Sequence, residues 1–340
     1  MAIFTDVICD ATKEGRKLPT SEYKSNGKYP IIDQGQNHIA GYTDETEGLF
    51  SNVPAIIFGD HTRIIKYVDT PFFIGADGVK ILKAKDKKAN HKFLYYALSS
   101  AKIPNTGYNR HFKWLKEIDI PEYSAKEQND IVVQLEKIDD LISVRKQQLY
   151  NLDELVKSRF VELFGDIHAP SKWEKKPWSE LVTIQNGRDY KNILVESGGY
   201  PVYGTGGEMA RASEYLCPEN TIIVGRKGTI NNPLLVKEKF WNVDTAFGVI
   251  VGNQLNYQYF YNFCRMFDFS TLNKQAVLPS TTKADLLKIE IAVPPMELQN
   301  QFAAFVEQTD KSKLAIQHSL EKLETMKKAL MQKYFGWRKK

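Results

Sequence analysis

Three residues of this chain have types and a spacing that could cut a phosphodiester bond. Asp166 followed by Glu174 and Lys176 fits an Asp…Glu-x-Lys pattern, in which carboxylates hold a divalent cation. The pattern is short and lies at a junction between two halves of the chain, so we interpret it as a chance match. No phosphate-binding G-x-x-x-x-G-K-[ST] loop occurs, and the six histidines lack the spacing of metal ligands. The sequence therefore predicts a non-catalytic chain without a metal or cofactor of its own.

Side chains suited to nucleic acid occur instead in loops beside short apolar runs. Arg and Lys match guanine, Asn and Gln match adenine, and hydroxyl groups match phosphate oxygens. The candidate DNA contacts of the first half are His61, Arg63, Asn109, Arg110, His111 and Lys113. Those of the second half are Arg226, Lys227, Thr229, Asn231, Lys274, Ser280, Thr281 and Lys283. Solvated loops generally carry such residues, but their occurrence as a pair of loops in both halves favours recognition.

The two sets of loops belong to an internal repeat. With an offset of 171 residues, Leu115 falls on Leu286, and Phe164-Gly165 falls on Phe335-Gly336. The register holds without a gap over this back part of each half and fades in the front part. One scaffold that carries two different front surfaces predicts a protein that recognises two different targets.

The back of each half is predicted to be one long helix. Apolar residues alternate at spacings of four and three over 126–163 and 297–335, and Arg145 and Arg159 interrupt the first run. Neither run contains proline, and each ends at Phe-Gly. The predicted seam consists of Ile131, Leu135, Ile138, Ile142, Leu149, Leu152, Val306, Ile316, Leu320 and Leu323. A helix of ~58 Å with one apolar stripe needs a partner. We predict that the two helices pair as an intramolecular antiparallel coiled coil; in the alternative, each packs only on its own globular domain.

The fronts of the two halves are predicted to be mixed α/β domains, which makes the chain α+β overall with a pseudo-two-fold duplication. Apolar runs at 54–60 and 220–226 end in glycine plus a polar residue, and they predict buried strands that run into loops. The predicted domains are a first recognition domain at 1–122, a long helix at 123–165, a second recognition domain at 166–295 and a long helix at 296–340.

Composition limits the setting in which the chain works. A net charge of +5 over 340 residues permits a polyanionic partner without demanding one. No apolar stretch is long enough to span a membrane, and the first residues do not form a signal peptide. The three cysteines lie far apart, which fits a reducing compartment. We therefore expect a cytoplasmic protein.

The chain resembles the DNA-specificity subunits of type I restriction–modification systems. Its order of recognition domain, long helix, recognition domain and long helix resembles theirs, and Glu127-Gln128 after Pro121 is similar to the family's helix start. The segments 57–63 and 223–230 are similar to loops of the family's recognition domains. The resemblance covers essentially the whole chain, with one departure where Leu298-Gln299 stands in place of Glu-Gln.

The resemblance implies that each globular half reads one part of a bipartite, gapped site in double-stranded DNA. It implies that the coiled coil fixes the gap and docks two modification subunits, which bind S-adenosylmethionine and methylate adenine. Restriction subunits with ATP- and Mg-dependent translocase and nuclease activity would join them, and this chain would supply specificity alone. Two alternatives stay open: a coiled-coil adaptor with two protein-binding heads, and a system that methylates without cutting.

Overall fold

The structure is a computed structural model, and it describes residues 1–75, 77–272 and 280–336. The chain divides into two compact units. Unit 1 contains Met1–Lys146 and the segment that begins at Ser319, and unit 2 contains Gln147–His318. Each unit therefore holds one globular domain and a part of each long helix. None of the helices in the described part of the chain is long and apolar enough to cross a membrane.

The globular domain of unit 1 is built on two four-stranded sheets. Its strands are β1 (Ala2–Ile3), β2 (Ile8–Asp10), β3 (Lys17–Leu18), β4 (Tyr29–Ile32), β5 (Gly41–Thr43), β6 (Ala55–Gly59), β7 (Ile65–Val68), β8 (Phe73–Gly75), β9 (Val79–Ala84) and β10 (Asp119–Ile120). Its helices are α1 (Phe4–Val7), α2 (His91–Ser99), α3 (Phe112–Leu115) and the first part of α4 (Ala125–Phe164). The sheets have the orders β2-β9-β6-β7 and β3-β8-β4-β5, and β1 pairs with β10. All of β6 is buried, as expected for a strand covered on both faces.

The globular domain of unit 2 repeats this plan. Its strands are β11 (Lys175–Pro177), β12 (Val182–Asn186), β13 (Tyr200–Gly204), β14 (Gly207–Ala212), β15 (Thr221–Gly225), β16 (Leu234–Val236), β17 (Trp241–Asn242), β18 (Ala246–Val251) and β19 (Glu290–Ala292). Its helices are α5 (Trp178–Leu181), α6 (Tyr257–Met266), α7 (Lys283–Leu286) and the first part of α8 (Met296–Phe335). The sheet β12-β18-β15-β16 repeats β2-β9-β6-β7, whereas the second sheet, β14-β13-β17, has three strands.

The repeat extends to individual hydrogen bonds. Asn90 caps α2 and donates its side-chain amide to Asn129 at 2.7 Å. In the same way, Asn256 caps α6 and donates to Asn300 at 2.9 Å. In both units this bond joins a domain helix to the start of a long helix. The structure thus confirms the predicted repeat and the buried strands that we expected at 54–60 and 220–226.

The two long helices begin and end where the sequence predicts. At the start of α4, Ser124 and Glu127 form a capping box, in which each side chain accepts a hydrogen bond from the other residue's backbone N–H. The residue of α8 that corresponds to Glu127 is Leu298, whose side chain offers no such acceptor. Both helices end in a glycine whose N–H bonds back into the last turn, as the Phe-Gly signal indicated.

The long helices pack against each other in antiparallel fashion within each unit. In unit 1, Lys327 Nζ lies 2.5 Å from Asp139 Oδ1, and Arg145 Nε donates to Ser319 Oγ at 3.2 Å. Contacts later in α4 therefore involve residues earlier in α8, which makes the two helices antiparallel. In unit 2, Lys313 Nζ donates to Asp153 Oδ1 at 2.8 Å. The predicted antiparallel pairing is therefore confirmed. The helices also pack on their own domains, because Ile131 and Leu135 share a core cluster with α2.

Burial along the predicted seam is uneven. Ile131, Leu135, Ile138 and Val306 are buried, whereas Ile142, Leu149, Leu152, Ile316, Leu320 and Leu323 are half-buried. Towards the end of α4 the buried face differs from the heptad pattern, which placed Arg159 at an interrupted seam position. The structure buries Phe160 instead, with its ring 5.5 Å from that of Phe302, and Arg159 pairs with Glu162. The interrupted heptad arises because the helix turns a large aromatic side chain towards the unit 2 core.

Candidate nucleic-acid interface

In unit 1, the loop after β6 is clamped to the loop that precedes α3. The backbone N–H of His111 donates to the carbonyl oxygen of Asp60 at 2.8 Å, and its ring Nδ1 lies 2.9 Å from the same oxygen. A carbonyl oxygen only accepts, so Nδ1 carries the proton of that bond. The other ring nitrogen lies 3.3 Å from the Thr106 hydroxyl. In turn the buried Asp60 carboxylate accepts from the N–H of Phe112 at 2.7 Å.

This clamp changes the interpretation of His111. The sequence proposed it as a DNA contact, but its side chain is fully buried and presents no surface to a ligand. Its ring closes hydrogen bonds between residues 51 positions apart, so it acts as a positioning residue for the loop. Composition could not separate the two roles, since both use the same residue type.

The neighbouring candidates of unit 1 differ in how free their side chains are. His61 stacks on Tyr108 with ring centroids 4.6 Å apart, and both Asn109 and Arg110 are exposed. Arg63 adopts a positive φ of 62° and donates from Nη1 to the carbonyl of Ile103 at 3.4 Å. Lys113 is exposed beside the Trp114 ring, 4.1 Å from its centroid.

Gln34 organises this surface, although no feature of the sequence beyond its polar type singled it out. Its side-chain oxygen accepts from the N–H of His61 at 3.2 Å, and its amide donates to the carbonyl of Asp77 at 2.8 Å. Its own carbonyl accepts from the Thr62 hydroxyl at 2.7 Å. The hydrogen bond from Lys17 lowers the pKa of the Asp77 carboxyl, and the charges of Arg110 and His61 act in the same direction.

In unit 2, an equivalent clamp joins the loop after β15 to the segment that precedes α7. The N–H of Thr281 donates to the carbonyl of Arg226 at 3.0 Å, and its hydroxyl donates to the carbonyl of Gly225 at 2.7 Å. Thr281 is buried, so like His111 it positions a loop although the sequence proposed it as a contact. Ser280, half-buried, pairs with Lys227 in a β-bridge. A Cβ at Gly225 would lie 2.4 Å from the carbonyl oxygen of Thr229, so the tight loop requires glycine.

The outer side chains of this loop fall into two groups. Arg226, Lys227 and Thr229 are exposed, and Arg226 also donates to the carbonyl of Asp244 at 3.3 Å. Asn231 is exposed but occupied, because its amide donates to Asp268 at 2.7 Å. A second hydrogen bond runs from the N–H of Phe269 to its side-chain oxygen.

The remaining candidates of unit 2 are more peripheral. Lys283 is exposed, yet its Nζ donates to the carbonyl of Ile184 at 2.9 Å, which ties the start of α7 to β12. Lys274 lies outside the described residues. As a whole, the predicted contact set stays a prediction; within each unit, the clamp joins the two segments that carry most of its described members.

The apparent nuclease pattern does not form a cluster of three acidic or metal-binding groups. Lys176 lies 3.9 Å from Glu174 and donates to Gln254 at 3.0 Å. Asp166 accepts from the N–H of His168 at 2.9 Å. Across the residues described, His, Cys, Asp and Glu nowhere group in threes suitable for a metal ion.

A family of known proteins matches this chain twice. The sequence model of the type I restriction modification DNA specificity domain matches residues 6–153 and again residues 170–325. One relative is the type I restriction enzyme EcoR124I/EcoR124II specificity subunit of Escherichia coli, which is 27% identical over 250 residues. That alignment spans 64% of this chain and 61% of the relative, which is less than two thirds of the relative's length.

Solved structures share the fold over nearly the whole chain. The S subunit of a type I restriction–modification system from M. genitalium has a TM-score of 0.67 and 19% identity, over 99% of this chain and 96% of its own. A chain from a structure of the assembly and conformational transition of the type I R-M system has a TM-score of 0.54 and 16% identity, over 98% and 96%. The mixed α+β fold with two paired long helices is thus the fold of these subunits.

Proposed function

Because this chain belongs to the type I restriction–modification DNA specificity family, we propose that it is the subunit that selects the DNA sequence for such a system. Unit 1 reads one half of a gapped site, and unit 2 reads the other half. The observation that carries the proposal is the loop clamp. It is built twice around the same backbone hydrogen bond and carries different exposed side chains each time. One scaffold with two surfaces suits a site with two different halves.

The exposed side chains at the clamps have the chemistry of base readers. In this proposal Asn109 and Arg110 contact bases of the first half-site and Arg226 contacts bases of the second, while Lys227 meets a phosphate of the second. Arginine pairs with the acceptor edge of guanine, and asparagine pairs with adenine in the major groove. Loops that are already anchored lose little conformational entropy on binding, which favours specific contacts over transient ones.

The paired helices set the gap and dock the other subunits. Two major-groove readers on one side of the duplex lie about one turn, roughly 34 Å, apart, and helices of ~60 Å are long enough to bridge this spacing. Within unit 1, α4 exposes Val133, Leu141 and Val144, apolar side chains that a protein partner would cover. Those partners are two modification subunits, which bind S-adenosylmethionine and methylate adenine, and restriction subunits that use ATP and Mg. This chain supplies no chemistry.

Modest charge explains why such a chain needs partners. A net charge of +5 is small for a DNA-binding protein, so the isolated chain binds DNA weakly and loses affinity steeply as salt rises. The modification subunits then supply the rest of the affinity by enclosing the duplex.

Genome-wide mapping of methylated adenine, in source cells with and without this chain, tests the proposal. We expect a gapped, two-part methylated motif that disappears when the chain is deleted and returns when it is restored. An unchanged methylation map in cells that express the partner subunits would contradict the proposal and favour an adaptor with two protein-binding heads.

A further inference from the structure

Tyr108 is an aromatic side chain that unit 1 leaves almost entirely in solvent. It is 87% exposed, far more than the other large apolar side chains that the recognition loops present. One face of its ring is covered by His61, with an interplanar angle of 7°. The rest of the side chain is open to solvent. An exposed ring of this size is unfavourably hydrated unless a ligand covers it.

The ring is held in place from behind. His61 is fixed by the hydrogen bond from its N–H to Gln34. It also packs against Gly78, where a Cβ would lie 2.6 Å from the His61 ring. The Tyr108 loop is closed on its other side by Asn109, whose amide donates to the carbonyl of Thr106 at 2.5 Å. The loop therefore presents a supported aromatic face instead of a mobile side chain.

A cationic side chain lies close to Tyr108 in the same loop. Arg110, two residues further along the chain, is exposed, and its charge acts on the carboxyl of Asp77, which pairs with Lys17. Aromatic faces beside cations suit DNA, because the cations neutralise phosphates while the ring packs on a thymine methyl group or a base face.

We propose that Tyr108, supported by His61, packs its exposed ring on bases of the half-site that unit 1 reads and helps to specify them. This inference rests on the function proposed above and adds a contact that the polar loop residues do not supply. Tyr108 touches the DNA, and His61 is a positioning residue that holds the ring.

Methylation of duplex oligonucleotides by the assembled complex, with S-adenosylmethionine, tests this proposal. For Tyr108→Ala we expect a loss of roughly 10-fold or more in discrimination at the first half-site, the range of one lost base contact, and no change at the second. Tyr108→Phe keeps the ring and should retain discrimination. His61→Ala should lose part of it, and His61→Phe, which restores a stacking ring, should recover it. Tyr215→Ala removes a partly exposed ring from unit 2 and should leave the first half-site unchanged.

Substituting deoxyuridine for each thymine of the first half-site separates the two chemistries. If the thymine methyl is the contact, one such duplex reproduces the loss of Tyr108→Ala and adds nothing to it; if a base face is the contact, removal of the methyl has no effect. Unchanged discrimination in Tyr108→Ala, while Arg110→Ala relaxes the first half-site, overturns the role of Tyr108 alone. A wild-type complex that methylates without regard to either half-site overturns the proposed function.

Discussion

The clamps of the two units share a backbone bond and differ in almost everything else. In unit 1 the residue after the glycine of β6 is Asp60, whose carboxylate is buried and accepts from α3. In unit 2 the residue at the same place is Arg226, whose side chain is exposed. The partner that closes the clamp is an aromatic ring in His111 and a short hydroxyl side chain in Thr281.

This difference separates what the scaffold requires from what recognition requires. The strand that ends in glycine, the carbonyl that accepts and the short helix that follows recur in both units, because they fix the path of the loop. The exposed side chains on the loops differ between the units, because the path does not depend on them. A duplicated protein can therefore change one surface without disturbing the fold of either unit.

The largest expected effect comes from lengthening both helices. A seven-residue insertion after Lys146 in α4 and another after His318 in α8 adds ~10 Å of helix, or about three base pairs at 3.4 Å each. These positions face each other, because Arg145 bonds to Ser319. The wild-type site should no longer be methylated, and a site with a longer gap and the same two halves should replace it. An insertion in α4 alone is the control and should abolish assembly. An unchanged gap in the double insertion would show that the helices do not set the distance between the half-sites.

Removing the clamp side chains should affect one unit at a time. His111→Ala deletes a buried ring with hydrogen bonds at both nitrogens and should lower the free energy of unfolding by ~2–4 kcal/mol, with loss of recognition at the first half-site. Thr281→Val removes one buried hydroxyl and keeps the backbone hydrogen bond. It should therefore lower the free energy of unfolding of unit 2 by ~1–2 kcal/mol. Urea unfolding and half-site methylation measure both. Equal losses at both half-sites in either variant would show that the units are not independent.

Smaller effects are expected for exposed lysines beside the clamps. Lys227→Ala in the loop after β15 and Lys113→Ala in α3 each remove one exposed cation that, in the proposed function, meets a phosphate. Affinity of the complex should fall ~3–10-fold, and the slope of log affinity against log salt should decrease in magnitude by about one. Neither variant should change the preferred bases; a shift in base preference would mean that the lysine reads sequence.

The smallest effect concerns the helix pair in unit 2. Burial would raise the pKa of Asp153, but the hydrogen bond from Lys313 and the charges of Lys313 and Arg265 outweigh it and hold the pKa below its ordinary 3.8. A carboxyl whose pKa is depressed by folding stabilises the fold above its unfolded pKa and loses that effect as pH falls. Since the ion pair is partly exposed, Asp153→Asn should lower the free energy of unfolding by only ~0.5 kcal/mol at pH 7. Unfolding curves should show that this difference shrinks below about pH 4; a difference that persists at pH 2.5 would exclude the ion pair as its cause.

Much of the fold could be predicted from sequence because its signals are local or periodic. The unbroken repeat, the heptads and the Phe-Gly ends located α4 and α8 to within about one residue. The seam was less predictable near Phe160, where contacts with the unit 2 core override the heptad. Periodicity reports which face of a helix is apolar and says nothing of what else packs on that face.

The candidate interface was only partly accessible to the same reasoning. Residue type pointed to Arg110 and Arg226, which are exposed, and equally to His111 and Thr281, which are buried. Burial of a polar loop residue depends on partners far away in sequence, such as Asp60, and no local pattern encodes it. Tyr108 was not among the candidates because they were chosen for polar groups that pair with base edges or phosphates.

The central claim, that two units read two half-sites independently, is tested most directly by one experiment. Methylated motifs should be sequenced from cells in which the complex carries Arg110→Ala or Arg226→Ala, beside the wild type. We predict that Arg110→Ala relaxes the bases of one half-site only and Arg226→Ala those of the other only, with the gap unchanged in both. Relaxation of the same half-site by both variants, or of both half-sites by either one, would contradict the account.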